Sequence, residues 1–459
     1  MIWSIAIRNL LRNGRRSLMT ILAIGVSGMA ILLFGGFVTS IWYGLQTSIV
    51  QEQGHIQIFK RGYQDYGAAD PDAYTMDDYP AVIDAILSVP AIREDVAVIT
   101  PQIQMGGIAG NPEGNSSKAF IGKGVVPSDY NAMRTWDYWA QGTQLAPVPL
   151  VDDDPEGAII GVGMARMIGL CDELNLAQCQ DPPTADAPDG PIDEDFSDLV
   201  SAELPGTAQE KDGRPRLDLL AASSGGAPNI VSVFVNAAQT QAIRAVDNAL
   251  IMLTFDQARR LLYGNEPRAT LVVVQLKDPT TLSETKGMIA EALEAEGLDM
   301  EVLAFNEVDP TFNRVFAMFS FIFVVVSLVL AVVIVFTIIN TVTMNVMERV
   351  NEVGTVRALG FKRFDVFRQF MAESFLLGLV GALTAMALGI VVSTQFNSAG
   401  MQWTPPSNAA PLTLELMVAE NLLLVAGTVG FLTLVTVLSS ILPATKAIRI
   451  PIVRALHYA

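Results

Sequence analysis

The chain of 459 residues is poor in charged residues, cysteine and histidine. Lys, Arg, Asp and Glu together make up 17% of it, and it has two cysteines and two histidines. A charged fraction this low beside 51% hydrophobic residues argues against an ordinary soluble enzyme. The histidines, His55 and His457, lie near opposite ends of the chain. With only two cysteines available besides, we expect no zinc site of the usual Cys and His type.

The sequence also lacks the common catalytic motifs. No G-x-x-x-x-G-K-[ST] loop occurs, and the nearest fragment, IGKGVV at 121–126, has neither the upstream glycine nor the Ser or Thr. There is no nucleophile elbow, no H-E-x-x-H and no ionisable residue deep in an apolar run that could relay protons. We therefore expect no catalytic residue and no metal or nucleotide cofactor in this chain.

Four uncharged apolar runs are long enough to cross a hydrocarbon core of about 30 Å. They cover residues 18–42, 316–339, 375–392 and 422–442, and the third extends one turn earlier, to Met371, with Glu373 near the interface. The first run is too long for a signal peptide and has no small-residue cleavage pattern after it. The sequence therefore predicts four transmembrane helices, the first of them a retained anchor.

The charge distribution predicts the orientation of these helices, because short Lys- and Arg-rich flanks stay in the cytoplasm. Residues 1–17 carry four arginines and no acid, residues 339–370 carry five basic residues against three acidic ones, and the tail after Leu442 is purely basic. Residues 48–315 hold 17 Lys and Arg against 41 Asp and Glu. We expect both termini and the 339–370 linker in the cytoplasm, and residues 48–315 outside.

The external segment has the pattern of a mixed α/β domain. Strand-like and helix-like stretches form two βαβ-like halves. The stretches are GHIQIFKRGY (54–63), PAVIDAILSV (80–89), AVITPQIQMGGIAG (97–110), SKAFIGKGVV (117–126), ATLVVVQL (269–276), TLSETKGMIAEALEAEG (281–297) and MEVLAF (300–305). The fold class that follows is an α-helical membrane protein with four transmembrane helices and a large α/β external domain between the first and second spans.

Residues 171–228 interrupt that domain. The segment is rich in Asp, Pro, Ala and Gly and lacks an apolar period, so we expect a solvated acidic insert. Its acidic spacing does not fit an EF-hand loop. Cys171 and Cys179, the only cysteines, lie at its start, and in an oxidising compartment they can form a disulfide that closes a small loop. Two free thiols are the alternative.

Three helical features flank the membrane. The N-terminal IWSIAIRNLLRNGRRSL has an apolar face and arginines elsewhere, which is typical of a basic interfacial helix, although ordinary positive-inside flanking also explains the arginines. No Pro or Gly occurs between Thr311 and Val353, so a continuous helix of about 65 Å is expected there, ending at Gly354. The glycines of the first and third spans indicate close helix packing: Gly25, Gly28, Gly35, Gly36, Gly378, Gly381 and Gly389.

The linker after the second span carries an apolar residue every third position. Val350, Val353, Val356 and Leu359 form this stripe, with Glu348, Glu352 and Arg357 facing elsewhere. Such a segment can present an apolar ridge with a charged rim to a cytoplasmic partner. It can equally be an interfacial linker whose charges reach into water. The residues alone support both interpretations equally.

Residues 348–393, ERVNEVGTVRALGFKRFDVFRQFMAESFLLGLVGALTAMALGIVVS, resemble the FtsX-like permease domain of bacterial ABC transporters. The pattern E-x-G-x-x-[KR]-A-[LM]-G falls on Glu352, Gly354, Arg357, Ala358, Leu359 and Gly360, with Asp365 and Glu373 following. IAIRNLLRNGRRSLMTILAI (5–24) resembles the opening segment of that family, and GHIQIFKRGY and IIGVGMARMIGL (159–170) resemble the external domain of the lipoprotein-releasing permeases. The acidic insert has no counterpart in the resemblance.

The resemblance implies a permease subunit of the MacB and lipoprotein-releasing superfamily, type VII. It implies a dimer of two permease copies, identical or different, and a cytoplasmic ATPase that binds ATP and Mg and contacts the linker. In this superfamily ATP-driven closure moves the external domain, a mechanism called mechanotransmission. The ATPase-coupling residues it implies are Glu348, Glu352, Val353, Gly354, Val356, Arg357, Leu359 and Gly360.

The apolar runs and charged flanks set the segment boundaries, and the resemblance adds the functional alternatives. The segments are 1–17 (amphipathic helix), 18–47 (first span), 48–308 (external domain), 309–346 (stalk and second span), 347–369 (coupling segment), 370–393 (third span), 394–420 (loop), 421–443 (fourth span) and 444–459 (tail). Extraction of a lipoprotein or amphiphile from the inner membrane toward a periplasmic carrier is favoured. FtsX-like signalling to periplasmic partners and MacB-like efflux with an adaptor and outer-membrane channel are the alternatives. Membrane lipid is an expected partner, and nucleic acid is not.

Overall fold

The computed structural model describes residues 2–12, 14–67, 69–114, 116–140, 145–176, 213–241, 243–403, 412–449 and 451. The chain divides into two compact units. The helical unit contains Met1–Trp42, Asn313–Trp403 and Thr413–Ala459, and the sheet unit contains Tyr43–Phe312 and Thr404–Leu412.

The described helices and strands alternate irregularly along the chain. The helices are α1 (Ile2–Arg12), α2 (Gly14–Gln53), α3 (Tyr63–Tyr66), α4 (Tyr79–Leu87), α5 (Pro90–Asp95), α6 (Pro127–Met133), α7 (Val162–Met167), α8 (Arg244–Asp247), α9 (Phe255–Tyr263), α10 (Leu282–Ala295), α11 (Phe305–Val308), α12 (Thr311–Glu348), α13 (Val350–Ala358), α14 (Arg363–Ser398) and α15 (Leu422–Arg449). The strands are β1 (Ile56–Lys60), β2 (Val96–Asn111), β3 (Ser116–Val125), β4 (Gly157–Gly161), β5 (Arg216–Ala222), β6 (Pro228–Gln239), β7 (Leu250–Thr254), β8 (Leu271–Leu276), β9 (Met300–Ala304), β10 (Gln402–Trp403) and β11 (Leu412–Thr413).

Four helices of the described chain are long and apolar enough to cross a membrane, namely α2, α12, α14 and α15. They contain the four predicted apolar runs, and each helix extends beyond its run. Helix α14 begins at Arg363 rather than near Met371, because the Asp365 carboxylate accepts a hydrogen bond from the Lys362 backbone N–H at 3.1 Å and caps the helix. Helix α15 continues through Pro443 to Arg449, because Ala444 and Ala447 pack into the core of the helical unit.

The long second membrane helix ends earlier than predicted. Helix α12 stops at Glu348, and Arg349 adopts φ −107° and ψ 13° before α13 begins. Gly354, the expected stop, lies inside α13, and the chain turns instead at Gly360, where φ is +101°. The break allows the Arg349 side chain to reach Glu373 while Val350 is buried against the other helices. The prediction of one helix to Val353 is therefore wrong.

The glycines predicted to allow close helix packing do so. A Cβ on Gly28 would lie 2.6 Å from the Ala385 Cβ, and one on Gly378 would lie 2.8 Å from the Thr436 Cβ. The other five glycines also face neighbouring side chains or backbone at van der Waals distance or closer: Gly25, Gly35, Gly36, Gly381 and Gly389. The membrane helices therefore approach one another along small-residue surfaces.

The sheet unit contains one nine-stranded sheet in the order β3-β7-β4-β6-β5-β2-β8-β1-β9. The α/β content is confirmed, but the two halves are not built from neighbouring parallel strands. Strand β1 pairs antiparallel with both β8 and β9, as in the register Ile56 with Val274 and with Ala304. The α10 connection from β8 therefore passes over β1 to β9, which is a split βαβ arrangement.

The second half of the sheet shares one long strand with the first. Strand β2 pairs with β8 over its first residues and with β3 and β5 over its last ones. Parallel pairing occurs between β3 and β7 and between β4 and β6, and the remaining pairings within this half are antiparallel. A buried apolar cluster that includes Ile103, Ile160, Leu219 and Ile251 holds this half together.

The prediction of a solvated insert over residues 171–228 is wrong for the C-terminal part of that range. Strand β5 lies inside it and pairs with both β2 and β6. Leu217 and Leu219 are fully buried, and the buried Asp218 carboxylate is paired with Arg216 and accepts a hydrogen bond from Ser232. The charged residues conceal the apolar alternation of this strand in the sequence. Residues 177–212, with Cys179, lie outside the described part, so the Cys171–Cys179 disulfide stays a prediction.

Candidate functional site

The segment 347–369 is held to the helical unit by an ion-pair network around Arg349. The Arg349 Nη1 lies 3.1 Å from the Glu373 Oε1, and its Nε lies 3.0 Å from the Glu352 Oε2. The Arg349 and Glu373 side chains are each 11% exposed. The network therefore joins the break after α12 to α13 and to the second and third turns of α14.

Helix α1 and the start of α2 belong to the same network. The Arg12 Nη2 lies 2.6 Å from the Glu352 Oε1, and the Asn9 Nδ2 donates to the Glu373 Oε1 at 2.5 Å. Arg16 forms an ion pair with Glu348. The basic N-terminal helix therefore has acidic partners more than 330 residues away in the chain.

The network keeps Glu352 ionised. Partial burial raises the pKa of Glu352, but the hydrogen bonds and charges of Arg349 and Arg12 outweigh it, so the pKa lies below its ordinary value. The Arg12 pair is half-exposed and contributes little to stability. The Arg349–Glu373 pair is nearly buried, so removal of Glu373 would leave the Arg349 guanidinium with Glu352 as its remaining acidic partner.

The predicted apolar stripe of the linker does not form one exposed ridge. Val350 and Gly354 are buried, and Val353 packs against the core of the helical unit. Val356 is half-buried, whereas Leu359 is 78% exposed. Most of the stripe therefore attaches α13 to the membrane helices.

Arg357 and Gly360 have structural positions at the end of α13. The Arg357 Nη1 donates to the backbone O of Ile448 at 3.3 Å, in the last turn of α15. A cation at this position also interacts favourably with the carboxyl end of that helix. Gly360 turns the chain toward α14 with a backbone conformation that favours glycine.

Three exposed apolar side chains lie between the end of α13 and the first turn of α14. We call Leu359, Phe361 and Phe364 the docking face; they are 78%, 45% and 64% exposed. The Arg368 guanidinium lies 6.0 Å from the centre of the Phe364 ring. Leu359 was among the predicted site residues. The sequence did not indicate six further residues of the site, although apolar residues in the charged stretch LGFKRF are a detectable signal: Phe361, Phe364, Arg349, Glu373, Asn9 and Arg12.

The sheet unit has a cavity of about 290 Å³, bordered by Tyr63, Met105, Leu262 and Tyr263. Polar groups at its rim are already engaged within the protein. Asp72 pairs with Arg268, and the Thr75 hydroxyl lies 3.1 Å from the Tyr263 hydroxyl. The cavity thus offers mainly apolar surface and does not define a ligand. No group of three or more potential metal ligands occurs among the residues that the structure describes.

Two protein families match this chain. The FtsX-like permease C-terminal family matches residues 321–452, which include the ion-pair network from Arg349 onward and the docking face. The MacB-like periplasmic core domain family matches residues 17–173, which include the first membrane helix and strands β1 to β4.

Curated relatives are similar over part of their length. An uncharacterized ABC transporter permease, MJ1507, of Methanocaldococcus jannaschii is 27% identical over 32% of this chain and 37% of its own length. The pyoverdine export ATP-binding/permease protein PvdT of Pseudomonas putida is 33% identical over 26% of this chain, and the macrolide export ATP-binding/permease protein MacB of Bdellovibrio bacteriovorus is 29% identical over 26%. The matched part is 16% of each of the latter two proteins.

Among solved structures, the extracellular domain of the ABC-type transporter YknZ from Gram-positive bacteria aligns over its full length with 55% of this chain. The sequence identity is 13% and the TM-score is 0.30.

Proposed function

Because this chain belongs to the ABC transporter permeases that combine an FtsX-like permease region with a MacB-like periplasmic core domain, we propose that it transmits ATP-driven movement to its sheet domain. In this proposal a separate ABC ATPase binds the docking face and the adjoining part of α13. In the proposal, ATP and Mg bind to that ATPase.

The observation that supports this proposal is the combination of an exposed apolar turn with a tightly anchored helix. Leu359 and Phe364 are available to a partner, whereas Arg349 ties the same segment to α14 and Arg357 ties it to α15. Aromatic side chains such as Phe are enriched in protein–protein interfaces. A displacement of α13 would therefore act on several membrane helices together.

The orientation in the proposal follows the charges. The termini and the segment 347–369 lie in the cytoplasm of a bacterial cell, and the acidic sheet domain lies in the periplasm, as the distribution of Lys and Arg predicts. A second permease copy, identical or different, completes the transporter. The exposed apolar side chains of α12, such as Phe321 and Leu328, are available to lipid or to that copy.

The transported molecule is proposed to be a lipoprotein or another amphiphile that passes from the membrane to a periplasmic carrier. Export of a small molecule through an adaptor and an outer-membrane channel is the second candidate, supported by relatives whose names state macrolide or pyoverdine export. Signalling to periplasmic partners, as the resemblance to FtsX-like proteins implies, is the third.

The proposal can be tested with the purified full-length chain and the ABC ATPase that co-purifies with it. In nanodiscs, we expect a purified lipoprotein to stimulate ATP hydrolysis and to leave the membrane in an ATP-dependent manner. Stimulation by a macrolide without lipoprotein release would favour the efflux candidate. Absence of any ATPase after crosslinking in cells would contradict the coupling proposal itself.

A further inference from the structure

The four arginines before the first apolar run differ in their partners. Arg12 and Arg16 form ion pairs with carboxylates of α13 and α12, which compensate their charges within the helical unit. Arg8 and Arg15 are exposed, and neither forms an ion pair or a side-chain hydrogen bond with any residue that the structure describes. Two of the four positive charges are therefore without an acidic partner in the described part of the chain.

Helix α1 lies beside α14 at the level where the third apolar run begins. The Trp3 ring makes a T-shaped contact with the ring of Phe375, the first residue of that run, and the ring centres are 5.7 Å apart. Asn9 donates to the Glu373 carboxylate, and Ala6, which lies between Trp3 and Asn9, is fully buried. Because an apolar run enters the hydrocarbon core at its first residues, α1 is held at the height of the membrane interface.

Helix α1 exposes one apolar stripe. Trp3, Ile7 and Leu11 follow one another at four-residue spacing, and all three side chains are exposed. Arg8 lies three residues before Leu11 and therefore borders the stripe. An apolar stripe bordered by a cation is typical of a helix that lies in the plane of the membrane interface.

Arg15 has the same relation to the start of the first apolar run. Leu18 and Met19 follow it by three and four residues, and their side chains are 54% and 70% exposed. The Ser17 hydroxyl donates to the Leu10 backbone O at 3.1 Å, which holds the start of α2 against the end of α1. Arg15, like Arg8, therefore borders exposed apolar side chains close to the start of an apolar run.

We propose that Arg8 and Arg15 bind the headgroups of anionic phospholipids, with Trp3, Ile7 and Leu11 inserted beside the glycerol end of the acyl chains. The partner is lipid because the exposed apolar side chains continue into the first membrane helix. It is anionic because the two guanidinium groups have no carboxylate partner in the helical unit, and phosphate suits their fork of N–H donors. Neither the ATPase nor the transported molecule takes part in this contact.

The test is native mass spectrometry of the full-length chain, without any ATPase, released from nanodiscs of equal parts phosphatidylglycerol and phosphatidylcholine. We expect the wild-type chain to retain more phosphatidylglycerol than phosphatidylcholine. In Arg8→Gln/Arg15→Gln the ratio of retained phosphatidylglycerol to phosphatidylcholine should fall about fivefold or more, since one basic residue at a membrane surface contributes about that factor. Arg8→Lys/Arg15→Lys should keep most of the preference, because the charge remains.

The matched control is Arg12→Gln/Arg16→Gln, which removes the same number of charges from the same segment. Because carboxylates compensate these two arginines, we expect a smaller fall in the lipid ratio. Equal falls in the two glutamine variants would show that net charge alone attracts the lipid, and the proposal would be wrong. An unchanged ratio in Arg8→Gln/Arg15→Gln would also overturn it, because the anionic lipid would then bind without these two side chains.

Discussion

Arg349 and Glu373 form a nearly buried ion pair in which the Arg349 Nη1 lies 3.1 Å from the Glu373 Oε1. The pair connects the point where α12 ends to the second and third turns of α14, and Asn9 of α1 donates to the same carboxylate. Three separate parts of the chain therefore meet at one charge. If a movement of α13 separated Arg349 from Glu373, each charged side chain would lose this ion-pair partner in a nearly buried position.

Removal of Glu373 tests how much this ion pair contributes to the free energy of unfolding. We expect Glu373→Ala to lower the free energy of unfolding by about 3 kcal/mol, because it leaves the Arg349 charge buried without its main partner. The double variant with Arg349→Met should recover part of that loss. Thermal unfolding of the purified chain in detergent measures both. Arg12→Ala is the control, since the half-exposed Arg12–Glu352 pair should contribute less than about 1 kcal/mol. Equal losses from both single variants would contradict the special role of the buried pair.

Truncation of the docking face tests partner binding. We expect Phe364→Ala to weaken ATPase binding at least tenfold, about 1.4 kcal/mol, with little change in the stability of the permease, because the ring is 64% exposed. Titration of the ATPase onto nanodisc-embedded permease measures the affinity. Phe321→Ala on α12 removes an equally exposed ring, 69%, from a membrane-spanning helix and should leave the affinity unchanged. An unchanged affinity in Phe364→Ala would place the ATPase elsewhere.

Helix packing in the membrane is testable at Gly28. We expect Gly28→Ala to destabilise the helical unit by about 1–3 kcal/mol, because the new methyl group would lie 2.6 Å from Ala385 and forces α2 away from its neighbours. Gly44→Ala on the same helix has no atom within 4 Å of the added carbon, and it should be neutral or stabilising by up to about 1 kcal/mol. Chemical denaturation in mixed micelles measures both variants. A neutral Gly28→Ala would show that the helices have room to separate.

His55 makes the sheet domain sensitive to acid. Burial lowers the pKa of His55 to about 3, although Asp95 opposes the shift, and its Nδ1 accepts a hydrogen bond from the Leu276 N–H. Between pH 3 and an unfolded value near 6.5, the unfolded chain binds a proton that the folded chain does not. The free energy of unfolding is therefore unaffected by His55 protonation above about pH 6.5. Below that pH it falls by about 1.4 kcal/mol per pH unit as the unfolded chain binds the proton.

The variant His55→Asn isolates this effect. Its side chain stays neutral and can still accept the Leu276 hydrogen bond. Between pH 7 and pH 5 we expect wild-type protein to lose about 2 kcal/mol more stability than the variant. Thermal unfolding followed by tryptophan fluorescence at the two pH values gives the difference. Parallel pH profiles for the wild-type protein and the variant would refute the assignment to His55.

Particular residues show how far sequence reasoning extends. The apolar runs, the docking-face residue Leu359 and the small residues that permit helix contact were predicted, because hydropathy and side-chain size act locally along the chain. The strand at Arg216–Ala222 was missed, because Asp218 is compensated by Arg216 and Ser232, and composition does not reveal such compensation. The break at Arg349 was missed because its partner, Glu373, comes from another helix.

The sequence by itself determined that this protein has four helices long and apolar enough to cross a membrane, an acidic α/β domain between the first two and a charged linker between the second and third. These features follow from the number and spacing of apolar and charged residues, because a helix needs about 20 apolar residues to cross the hydrocarbon core. Only the tertiary structure decided which charges of the linker are internal, which apolar side chains are exposed and that strand β5 lies between β6 and β2 in the sheet. Those relationships depend on contacts between residues far apart in the chain, whose partners are selected by packing and by the cost of burying an unpaired charge.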